Sequence, residues 1–506
     1  MHRARTDTSL ATEIRPQCAV VGVYNHPQAA LIAYYCLHAL QHRGQEATGI
    51  VSAYWDQKHR RRFISHKGEG LVLDVFTPDV LQNVLKGDAA IGHNRYSTTG
   101  SPSPANIQPF HITYRMGNLA LAHNGNLTNT RSLRQQLQEE GAIFQSTTDS
   151  ELFLHLIARS RQATQLEQIR EALRIARGAY SLVILTDTAL IAVRDPYGFR
   201  PLAIGRLPVR DGQRNGQHAY VVASETCAFD LVGAEYVRDV RHNEIVVIDR
   251  DTVLTGELKS YPVVEVTPEA RHCIFEFIYF SRPDSTIFGH SVDAVRRRLG
   301  ESLAKESPVL ADSPDDPVVV IPVPDSGNTA AVGYARANAE QGIPTQFDVG
   351  LIRSHYVGRT FIAPEQNQRE LKVRTKFNTV RSVLSGRKVV VVDDSIVRGT
   401  TSKALIQLIR QAGPREVHLR ITAPPIRYPC KYGMDFPSYE ELIANHYETE
   451  EEIGQAIGAD SLHYLSLDSL LLSVPHEPGI GYCTACFTGE YPVAVESELN
   501  KRVAEE

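Results

Sequence analysis

The hydrophobic positions of this chain form short apolar segments, and polar clusters follow most of them. Continuous apolar runs at residues 19–24, 318–323 and 389–392 are typical of buried strands. Apolar residues at helical spacing after Pro27 and over residues 403–411 predict amphipathic helices. In the second half, the helix at residues 403–411 lies between the run at 389–392 and a further predicted strand at residues 416–422. This order predicts a βαβ unit, and therefore a parallel sheet.

The most informative loop follows the strand predicted at residues 389–392. It begins with two adjacent carboxylates and ends in hydroxyl-bearing residues just ahead of the next predicted helix. Backbone N–H groups, hydroxyls and a positive helix end suit a phosphate, whereas paired carboxylates suit sugar hydroxyls or a divalent cation. A phosphosugar satisfies both requirements, and an ordinary surface turn is the alternative. The candidate binding residues are Asp393, Asp394, Ser395, Arg398, Gly399, Thr400, Thr401 and Ser402.

This loop resembles the phosphoribosyl pyrophosphate motif of type I phosphoribosyltransferases, and its sequence is similar to that of the amidophosphoribosyltransferase family. The similarity extends from Cys18 to about Tyr491. It implies an enzyme that hydrolyses glutamine and passes the ammonia to phosphoribosyl pyrophosphate, forming 5-phosphoribosylamine in the opening step of purine synthesis. It also implies a homotetramer that purine nucleotides inhibit.

A second loop follows the apolar run at residues 318–323. Gly327 and the small Ser326 let backbone donors approach pyrophosphate oxygens closely. The resemblance implies that Asp325, Ser326 and Gly327 bind the pyrophosphate, whereas a simple helix N-cap at Asp325 or Ser326 is the alternative. The magnesium ligands that the resemblance implies are Ser326, Asp393 and Asp394.

A polar and basic stretch at residues 353–378 separates these loops. Its composition suggests a lid that orders over an anionic substrate and excludes water. A solvated surface loop is the alternative, and composition does not separate the two.

Polar clusters also punctuate the first half, at residues 41–46, 92–100, 122–127 and 147–151. In this order they resemble the glutaminase domain that uses an amino-terminal cysteine, on the four-layer αββα fold of N-terminal nucleophile hydrolases. The matching cysteine is Cys18, so the resemblance implies that residues 1–17 are a propeptide removed by processing. The freed α-amine, with a pKa of about 7.7–8, then serves as the base that activates the thiol.

The resemblance implies a role for each cluster. Asn124, through its side-chain amide, and Gly125, through its backbone N–H, would form the oxyanion hole. Arg95 would clamp the α-carboxylate of glutamine, and Asp149 would hold its α-ammonium group. Arg43 is a further candidate for binding glutamine. No chemistry is assigned to three neighbouring histidines, His42, His93 and His123.

Seven cysteines, an odd number in a long chain, argue against a disulfide framework. Cys483 and Cys486 form a Cys-x-x-Cys pair, which suits two ligands of one metal centre. The contexts of these two and of Cys273 and Cys430 resemble the iron–sulfur branch of the family. The resemblance implies a structural [4Fe–4S] cluster on the four thiolates, and zinc is the competing interpretation. Cys36 lies on the apolar face of the first helix and is expected in the core.

Length, composition and charge narrow the classes of protein. A chain of 506 residues with 42% hydrophobic and 22% charged residues is expected to hold two or more globular domains. Its net charge of −5 gives no reason to expect nucleic acid or an anionic membrane as a partner. No apolar run approaches the ~20 residues that span a bilayer. The polar start also lacks a signal core, so we expect a cytoplasmic location.

We therefore expect a propeptide at residues 1–17 and a glutamine amidotransferase domain at residues 18–258. A phosphoribosyltransferase domain with a central parallel sheet and the iron–sulfur ligands follows at residues 259–506, so the fold class combines α+β and α/β. Two other functions compete. The Val-Asp-Asp strand and loop disfavours a hexosamine-forming amidotransferase. The complete set of glutaminase residues disfavours a non-catalytic regulator that binds phosphoribosyl pyrophosphate or nucleotides.

Overall fold

The first apolar segment forms a strand with both faces buried, as its pattern predicts. The computed structural model describes residues 18–96, 103–209, 217–354 and 376–496. Strand β1 spans Ala19–Tyr24. Its Ala19, Val21 and Val23 pack beneath a helix, whereas Val20 packs against a second sheet. Successive side chains of a strand face opposite sides, so each face of β1 meets a different layer.

Strand β1 lies in a seven-stranded antiparallel sheet, one of two inner layers of the first half. In sheet order its strands are β11 (Glu235–Asp239), β9 (Ala203–Pro208), β10 (His218–Ala223), β1, β4 (Ala89–Arg95), β2 (Ala47–Trp55) and β3 (Arg61–Glu69). Ala19 of β1 pairs with Asn94 of β4. This register brings Cys18, which precedes β1, to the carboxyl end of β4.

A six-stranded antiparallel sheet forms the second inner layer. In sheet order its strands are β13 (Lys259–Pro262), β12 (Glu244–Asp249), β8 (Ala189–Arg194), β7 (Gly178–Thr186), β6 (Gly117–Leu127) and β5 (Phe110–Tyr114). The short strand β5 pairs only with the start of β6, from Gly117 to Leu121. The polar cluster at residues 122–127 therefore lies beyond the part of β6 that β5 covers.

Helices cover the outer faces of both sheets. Those on the first sheet are α1 (Ala29–Ala39), α2 (Val72–Val75) and α6 (Cys227–Val232). Those on the second sheet are α3 (Thr130–Glu139), α4 (Ser150–Arg159) and α5 (Gln165–Ile175). Helix α7 (Arg250–Thr255) joins β12 to β13. The four layers confirm the αββα fold expected for the first half.

The second half is built on a five-stranded parallel sheet, which confirms the other predicted fold. In sheet order its strands are β18 (Thr345–Phe347), β17 (Val318–Pro322), β21 (Lys388–Asp393), β22 (Glu416–Ile421) and β23 (Ser461–Tyr464). Its flanking helices are α8 (Val292–Glu306) and α9 (Asn328–Glu340) on one face and α11 (Thr400–Arg410) and α12 (Glu450–Ile457) on the other. From β17 the chain goes first to β18 on one side and later to β21 on the other, so a topological switch point separates β17 from β21.

The described residues also form several short strands, short helices and single helical turns. The paired short strands are β14 (Ala270–Cys273) with β24 (Ile480–Cys483), β15 (Thr286–Ile287) with β16 (His290–Ser291), and β19 (Leu351–Arg353) with β20 (Phe377–Thr379). The remaining α-helices are α10 (Arg381–Leu384), α13 (Leu467–Ser473) and α14 (Ala485–Thr488). Single turns of 3₁₀ or π-helix span Gln41–Arg43, Val80–Val84, Pro104–Asn106, Glu276–Phe280, Tyr439–Glu441 and Ile443–Asn445.

The structure moves one predicted helix boundary, and it does not describe two of the predicted segments. Helix α11 begins at Thr400 rather than at Lys403, because Gly399 adopts a left-handed conformation (φ 73°) and ends the preceding loop. The hydroxyls of residues 400–402 thus belong to the first turn of the helix. Residues 1–17 and residues 355–375 of the expected lid lie outside the described residues. Within the described ranges, every helix is too short or too polar to cross a membrane.

Candidate active site

The thiol of Cys18 is buried at the amino end of β1. Cys18 is 7% exposed, and its Sγ donates a hydrogen bond to the Tyr96 carbonyl at 3.4 Å. Burial raises the pKa of the Cys18 thiol to about 11, and Tyr96 and Arg95 offset only part of this effect. The thiol is therefore protonated at neutral pH, and a nucleophilic role requires a base nearby.

The ends of strands β4 and β6 meet beside this thiol. The register of β1 with β4 brings Arg95 next to Cys18, and burial lowers the pKa of the Arg95 guanidinium. His93, two residues earlier on β4, lies 3.1 Å from the His123 carbonyl of β6 through Nε2. This contact ties the two inner sheets together where Asn124 follows His123.

Asn124 and Gly125 have the features of an oxyanion hole. Asn124 is 1% exposed, and within the described part of the chain its Nδ2 has no hydrogen-bond partner. Leu127 donates its backbone N–H to Asp149 Oδ2 at 2.8 Å. Because N–H groups two residues apart in a strand point to the same edge, the N–H of Gly125 points to that edge too. A buried donor without a partner is costly, and a negatively charged oxygen would satisfy it.

Asp149 is held beside this edge by several buried donors. It is 4% exposed, and besides Leu127 its carboxylate accepts from the Ser150 hydroxyl at 3.4 Å and lies 3.8 Å from Nδ1 of His123. His123 itself bonds to the Ser150 hydroxyl and the Ala179 carbonyl, and it is thus a packed histidine. The negative charge of Asp149 also acts on the Cys18 thiol, which puts a fixed carboxylate within electrostatic reach of the sulfur.

Arg43 does not face a substrate, contrary to its predicted part in binding glutamine. Its guanidinium is fully buried, and it donates to Glu225 at 2.5 Å and to Glu276 at 2.7 and 3.0 Å. Its Nε donates to the Cys18 carbonyl at 3.4 Å. Although burial works against the charge, Glu276 and Glu225 raise the pKa of Arg43 above its ordinary value. All three nitrogens of the guanidinium are engaged, and through Nε Arg43 holds the backbone of Cys18 in place.

A second site opens at the carboxyl ends of β17 and β21, at the switch point of the parallel sheet. It is a cavity of about 510 Å³. The predicted residues that line it are Asp325, Ser326, Asp393, Asp394, Ser395, Gly399, Thr401 and Ser402. The two loops found in the sequence therefore form one pocket, because β17 and β21 are neighbours in the sheet.

Asp394 is the buried acid of this pocket. It is 6% exposed, and it accepts a hydrogen bond from the Ser395 hydroxyl at 2.5 Å. Burial raises the pKa of the Asp394 carboxyl, and the hydroxyls of Ser326 and Ser395 work in the opposite direction. Carboxylate and hydroxyl oxygens together match the donors that Mg²⁺ prefers.

Three predicted members lie outside the pocket wall. A Cβ on Gly327 would come within 2.4 Å of the Val392 carbonyl, so glycine here lets the turn after β17 pack on β21. Arg398 forms an ion pair with Glu441, and its Nη2 lies 3.0 Å from Oε1 of Glu441. Thr400 is an exposed residue at the start of α11.

Several pocket residues were missed by sequence reasoning. They include His42, Tyr279, Phe280, Ser281, Arg282, Pro283, Arg296, Asn328 and Thr329. Arg353 and Lys376 also line the pocket, and they belong to the stretch expected to form a lid. Arg296 is buried and donates to the carbonyls of Phe277 and Ser281, which holds the 276–283 segment against the pocket. The polar residues 281–285, which follow a largely apolar stretch interrupted only by Glu276, are a signal that could have found this segment. His42 belongs to the first half, and no local pattern indicates it.

Glu225 connects the two sites. Its carboxylate accepts from Arg43, from Nε2 of His42 at 2.8 Å and from the backbone N–H of Arg282 at 2.9 Å. It also accepts from the Ser285 hydroxyl at 2.7 Å. Although burial opposes ionisation, His42 and Arg43 hold the pKa of Glu225 well below its ordinary value. One carboxylate thus joins the support of Cys18 to two residues that line the pocket.

The four cysteines expected to bind a cluster are near one another. Cys273 and Cys483 are register partners on β14 and β24, Cys486 lies in α14, and Cys430 packs against the same clusters of apolar residues. Burial and the charges of the other three thiols raise the pKa of Cys486 well above its ordinary value. However, no three His, Cys, Asp or Glu side chains in the described ranges are arranged as a metal ligand set.

The fold and both sites define a glutamine amidotransferase joined to a phosphoribosyltransferase. Residues 93–230 match the family model described as a glutamine amidotransferase domain, and residues 299–435 match that of a phosphoribosyl transferase domain. Both halves therefore belong to known classes of enzyme.

The whole chain is similar to amidophosphoribosyltransferases. It is 50% identical to the chloroplastic amidophosphoribosyltransferase of Vigna aconitifolia over 96% of this chain and 93% of that protein. A solved structure of the allosteric regulatory enzyme of purine biosynthesis is 45% identical, with a TM-score of 0.85 over 97% of this chain and 99% of that one. The B. subtilis glutamine phosphoribosylpyrophosphate amidotransferase, complexed with ADP and GMP, is also 45% identical, with a TM-score of 0.83 over 96% and 100%. The chain belongs to the amidophosphoribosyltransferase family, which confirms the resemblance found in its sequence.

Proposed function

We propose that the first half hydrolyses glutamine at Cys18 and that the second half adds the released ammonia to C1 of phosphoribosyl pyrophosphate. The products are glutamate, pyrophosphate and 5-phosphoribosylamine, in the first committed step of purine synthesis. The observation that carries this proposal is a chain of contacts that connects the two sites. His42 lines the 510 Å³ pocket and bonds to Glu225, and Glu225 in turn holds the arginine behind Cys18.

In the first step, the sulfur of Cys18 attacks the side-chain amide carbon of glutamine. The negative oxygen that forms is stabilised by Asn124 Nδ2 and the Gly125 N–H. The C–N bond then breaks, the nitrogen takes a proton and leaves as ammonia, and water hydrolyses the thioester to glutamate. Arg95 and Asp149 bind the α-carboxylate and α-ammonium of glutamine, since both lie within electrostatic reach of the thiol.

The base for this step is the α-amine of Cys18 after removal of residues 1–17. The raised pKa of the buried thiol supports the need for such a base, because a peptide nitrogen has no comparable basicity. The proposed propeptide, with domains at residues 18–258 and 259–506, follows from this assignment. Mass measurement of the purified protein tests it, since a retained amino-terminal segment leaves no free cysteine amine.

In the second step, the ammonia nitrogen forms a bond to C1 as the bond from C1 to the pyrophosphate oxygen breaks. The oxygen keeps the electron pair, and the nitrogen loses a proton. Asp393 and Asp394 hold the ribose hydroxyls, the first turn of α11 holds the 5-phosphate, and Asp325 and Ser326 lie at the pyrophosphate. Asp393, Asp394 and Ser326 would hold Mg²⁺, which offsets the charge of the leaving group.

The four neighbouring thiols support a structural metal centre. They are buried or half-buried and come from distant parts of the chain, so one centre would join β14, β24 and the segment at Cys430. We propose a [4Fe–4S] cluster there, with zinc as the alternative on the same thiolates. Metal analysis and visible absorbance after anaerobic purification distinguish the two.

Three finer properties belong to the proposal as well. Purine nucleotides act as inhibitors, for which the ADP and GMP in the B. subtilis structure are the support. The enzyme is a homotetramer, which analytical ultracentrifugation tests. The cytoplasmic location stays a prediction, and the similar protein of Vigna aconitifolia is named chloroplastic.

A paired assay tests the function. We expect Cys18→Ala to abolish pyrophosphate release driven by glutamine and to leave release driven by ammonia unchanged, because added ammonia bypasses the first site. Cys36→Ala is the matched control, since Cys36 is a buried cysteine of α1 outside both sites. Retention of glutamine-driven release in Cys18→Ala would refute the proposal.

A further inference from the structure

Residues 430–433 of the second half, here called the 430–433 loop, pack against the strand that carries Asn124 and Gly125. We propose that this loop holds the oxyanion-hole strand in its working position, with Gly433 and Asn126 as positioning residues for glutamine hydrolysis. The inference rests on the proposed roles of Asn124 and Gly125, and it adds to them a dependence on the other half of the chain.

One close approach of the loop to β6 is between two glycines. Gly433 is buried and has a φ of +102°, and a Cβ built on it would lie 3.0 Å from the carbonyl carbon of Gly125 and 3.1 Å from its oxygen. These distances are tighter than ordinary contacts, and the atoms that would have to move belong to the backbone. A side chain at residue 433 would therefore displace Gly125 itself.

A hydrogen bond joins the loop to β6 one residue further along. Asn126 Nδ2 donates to the Lys431 carbonyl at 3.0 Å. Asn124 and Asn126 are two residues apart on the strand, so their side chains point to the same face. The bond at Asn126 therefore fixes the part of the strand from which Asn124 presents its amide.

The loop packs on a part of β6 that, among the described residues, has no neighbouring strand on one edge. Strand β5 pairs with β6 only as far as Leu121, and no further strand in the described ranges pairs with that edge of β6. The Gly125 carbonyl and N–H point to this edge, as the Leu127 N–H does. The 430–433 loop therefore packs on a part of β6 that a described strand holds on one edge only, where added contacts constrain it most.

Contacts of Tyr432 anchor the loop, so a side chain added at residue 433 would shift Gly125 and not the loop. Arg200 of the first half donates from Nη2 to the Tyr432 carbonyl at 2.8 Å. The Tyr432 ring stacks on Phe199 with centroids 4.4 Å apart, and its hydroxyl donates to the Val493 carbonyl at 2.9 Å. A small misplacement of a catalytic group is costly, because stabilisation of the transition state depends on its distance.

The experiment compares Gly433→Ala with Gly342→Ala. Gly342, also in the second half, has a similar left-handed φ of +81°, but a Cβ there meets nothing within 4 Å. Gly342→Ala thus controls for backbone strain. For each variant we would measure glutamate release from glutamine, ammonia-driven pyrophosphate release, and the alkylation rate of Cys18 by iodoacetamide. Asn124→Ala serves as the reference for a lost oxyanion donor.

We expect Gly433→Ala to lower kcat for glutamine hydrolysis by at least ~10-fold, toward the ~10²–10³ loss of a removed donor. KM for glutamine, Cys18 alkylation and the ammonia-driven reaction should stay within about twofold, because transition-state contacts alone are disturbed. Asn126→Ala, which removes the bond to the Lys431 carbonyl and a longer one of 3.3 Å to the Leu127 carbonyl, should show a smaller loss in the same direction.

Three results would overturn the inference. If Gly433→Ala hydrolyses glutamine as fast as Gly342→Ala while Asn124→Ala is impaired, the loop has no positioning role and the proposed function stands. If Gly433→Ala loses the ammonia-driven reaction and Cys18 alkylation as well, the loop is general structural support. If Asn124→Ala hydrolyses glutamine normally, the oxyanion assignment itself is wrong, and this inference falls with it.

Discussion

The two sites hold their charged groups in opposite ways. Around Cys18, Asn124 and Asp149 are 1% and 4% exposed, and Arg43 is fully buried between two carboxylates. In the second site, the side chains of Arg353 and Asp325 are 46% and 58% exposed and pair across an open pocket. The first site is organised before its substrate arrives, whereas the second keeps its charges in water until a ligand replaces that water.

This difference matches the chemistry proposed for each site. An oxyanion is small and short-lived, so its donors must be in place beforehand. A sugar carrying several phosphates is large and highly charged, and an open pocket lets it enter before water is excluded. Asp394 is the exception in the second site, because it is buried and its pKa is raised. The four predictions that follow test the contrast, and the largest expected effect comes first.

Replacing Arg43 by methionine should destabilise the first half strongly. The change leaves Glu225 and Glu276 buried without their partner, and breaking a buried ion pair in this way costs ~3–5 kcal/mol. Urea unfolding followed by the fluorescence of the single tryptophan, Trp55 of β2, measures the loss.

Arg336→Met is the matched control for this substitution. Arg336 also pairs with a carboxylate, Glu340, but both side chains are exposed on α9. Such surface pairs contribute about 0–1 kcal/mol. Equal shifts for the two variants would mean that the buried network does not stabilise the first half.

Replacing Asp394 by asparagine should separate the activities of the two halves. We expect pyrophosphate release to fall by ~10²–10³ with either glutamine or ammonia as the nitrogen source, because the acid proposed to hold the substrate is neutralised. Glutamate release measured without phosphoribosyl pyrophosphate should be unchanged. Asp468→Asn, at an exposed acid of α13, is the control. Normal pyrophosphate release in Asp394→Asn would remove this residue from the site.

The alkylation rate of Cys18 should depend steeply on pH while residues 1–17 remain attached. Because the pKa of the thiol is about 11, the rate should rise about tenfold per pH unit from pH 7 to about pH 10. Iodoacetamide labelling of Cys18, followed by mass spectrometry, provides the measurement, with Cys18→Ala as the background. A plateau near pH 8.5, the ordinary value for a cysteine, would contradict the burial seen here.

Neutralising two buried acids should change stability in opposite directions. The lowered pKa of Glu225 means that its charge stabilises the fold above its ordinary pKa and that this contribution is lost as the pH falls through the folded value. The raised pKa of Asp394 means that its charge costs stability above the folded value and costs nothing below its ordinary pKa. At pH 7, Glu225→Gln should therefore lower the melting temperature and Asp394→Asn should raise it. Calorimetry at pH 7 and pH 4 checks both signs, and the gain for Asp394→Asn should shrink at pH 4.

Much of the fold could be predicted because its signals are local. The apolar runs at residues 19–24 and 389–392 became β1 and the core of β21, and the polar clusters after the strands became the two sites. Both loops of the second site line one pocket, since parallel neighbours end at the same edge of their sheet. The error of three residues at the start of α11 came from the left-handed Gly399, which no hydrophobic pattern reports.

The roles that no local pattern indicates depend on contacts between distant parts of the chain. Arg43 carries the same charge as Arg95, and only burial shows that it pairs with Glu225 and Glu276 instead of a substrate. His42 reaches the pocket of the other half, and Gly433 reaches Gly125, across hundreds of residues of sequence.

Residue types and their spacing thus specify the elements, the candidate nucleophile and the two candidate ligand loops, because strand periodicity and loop chemistry act within a few residues. The pairing of buried charges, and the packing of the 430–433 loop on strand β6, depend on how the folded layers contact one another. Burial makes those contacts energetically decisive, and burial is a property of the folded chain as a whole.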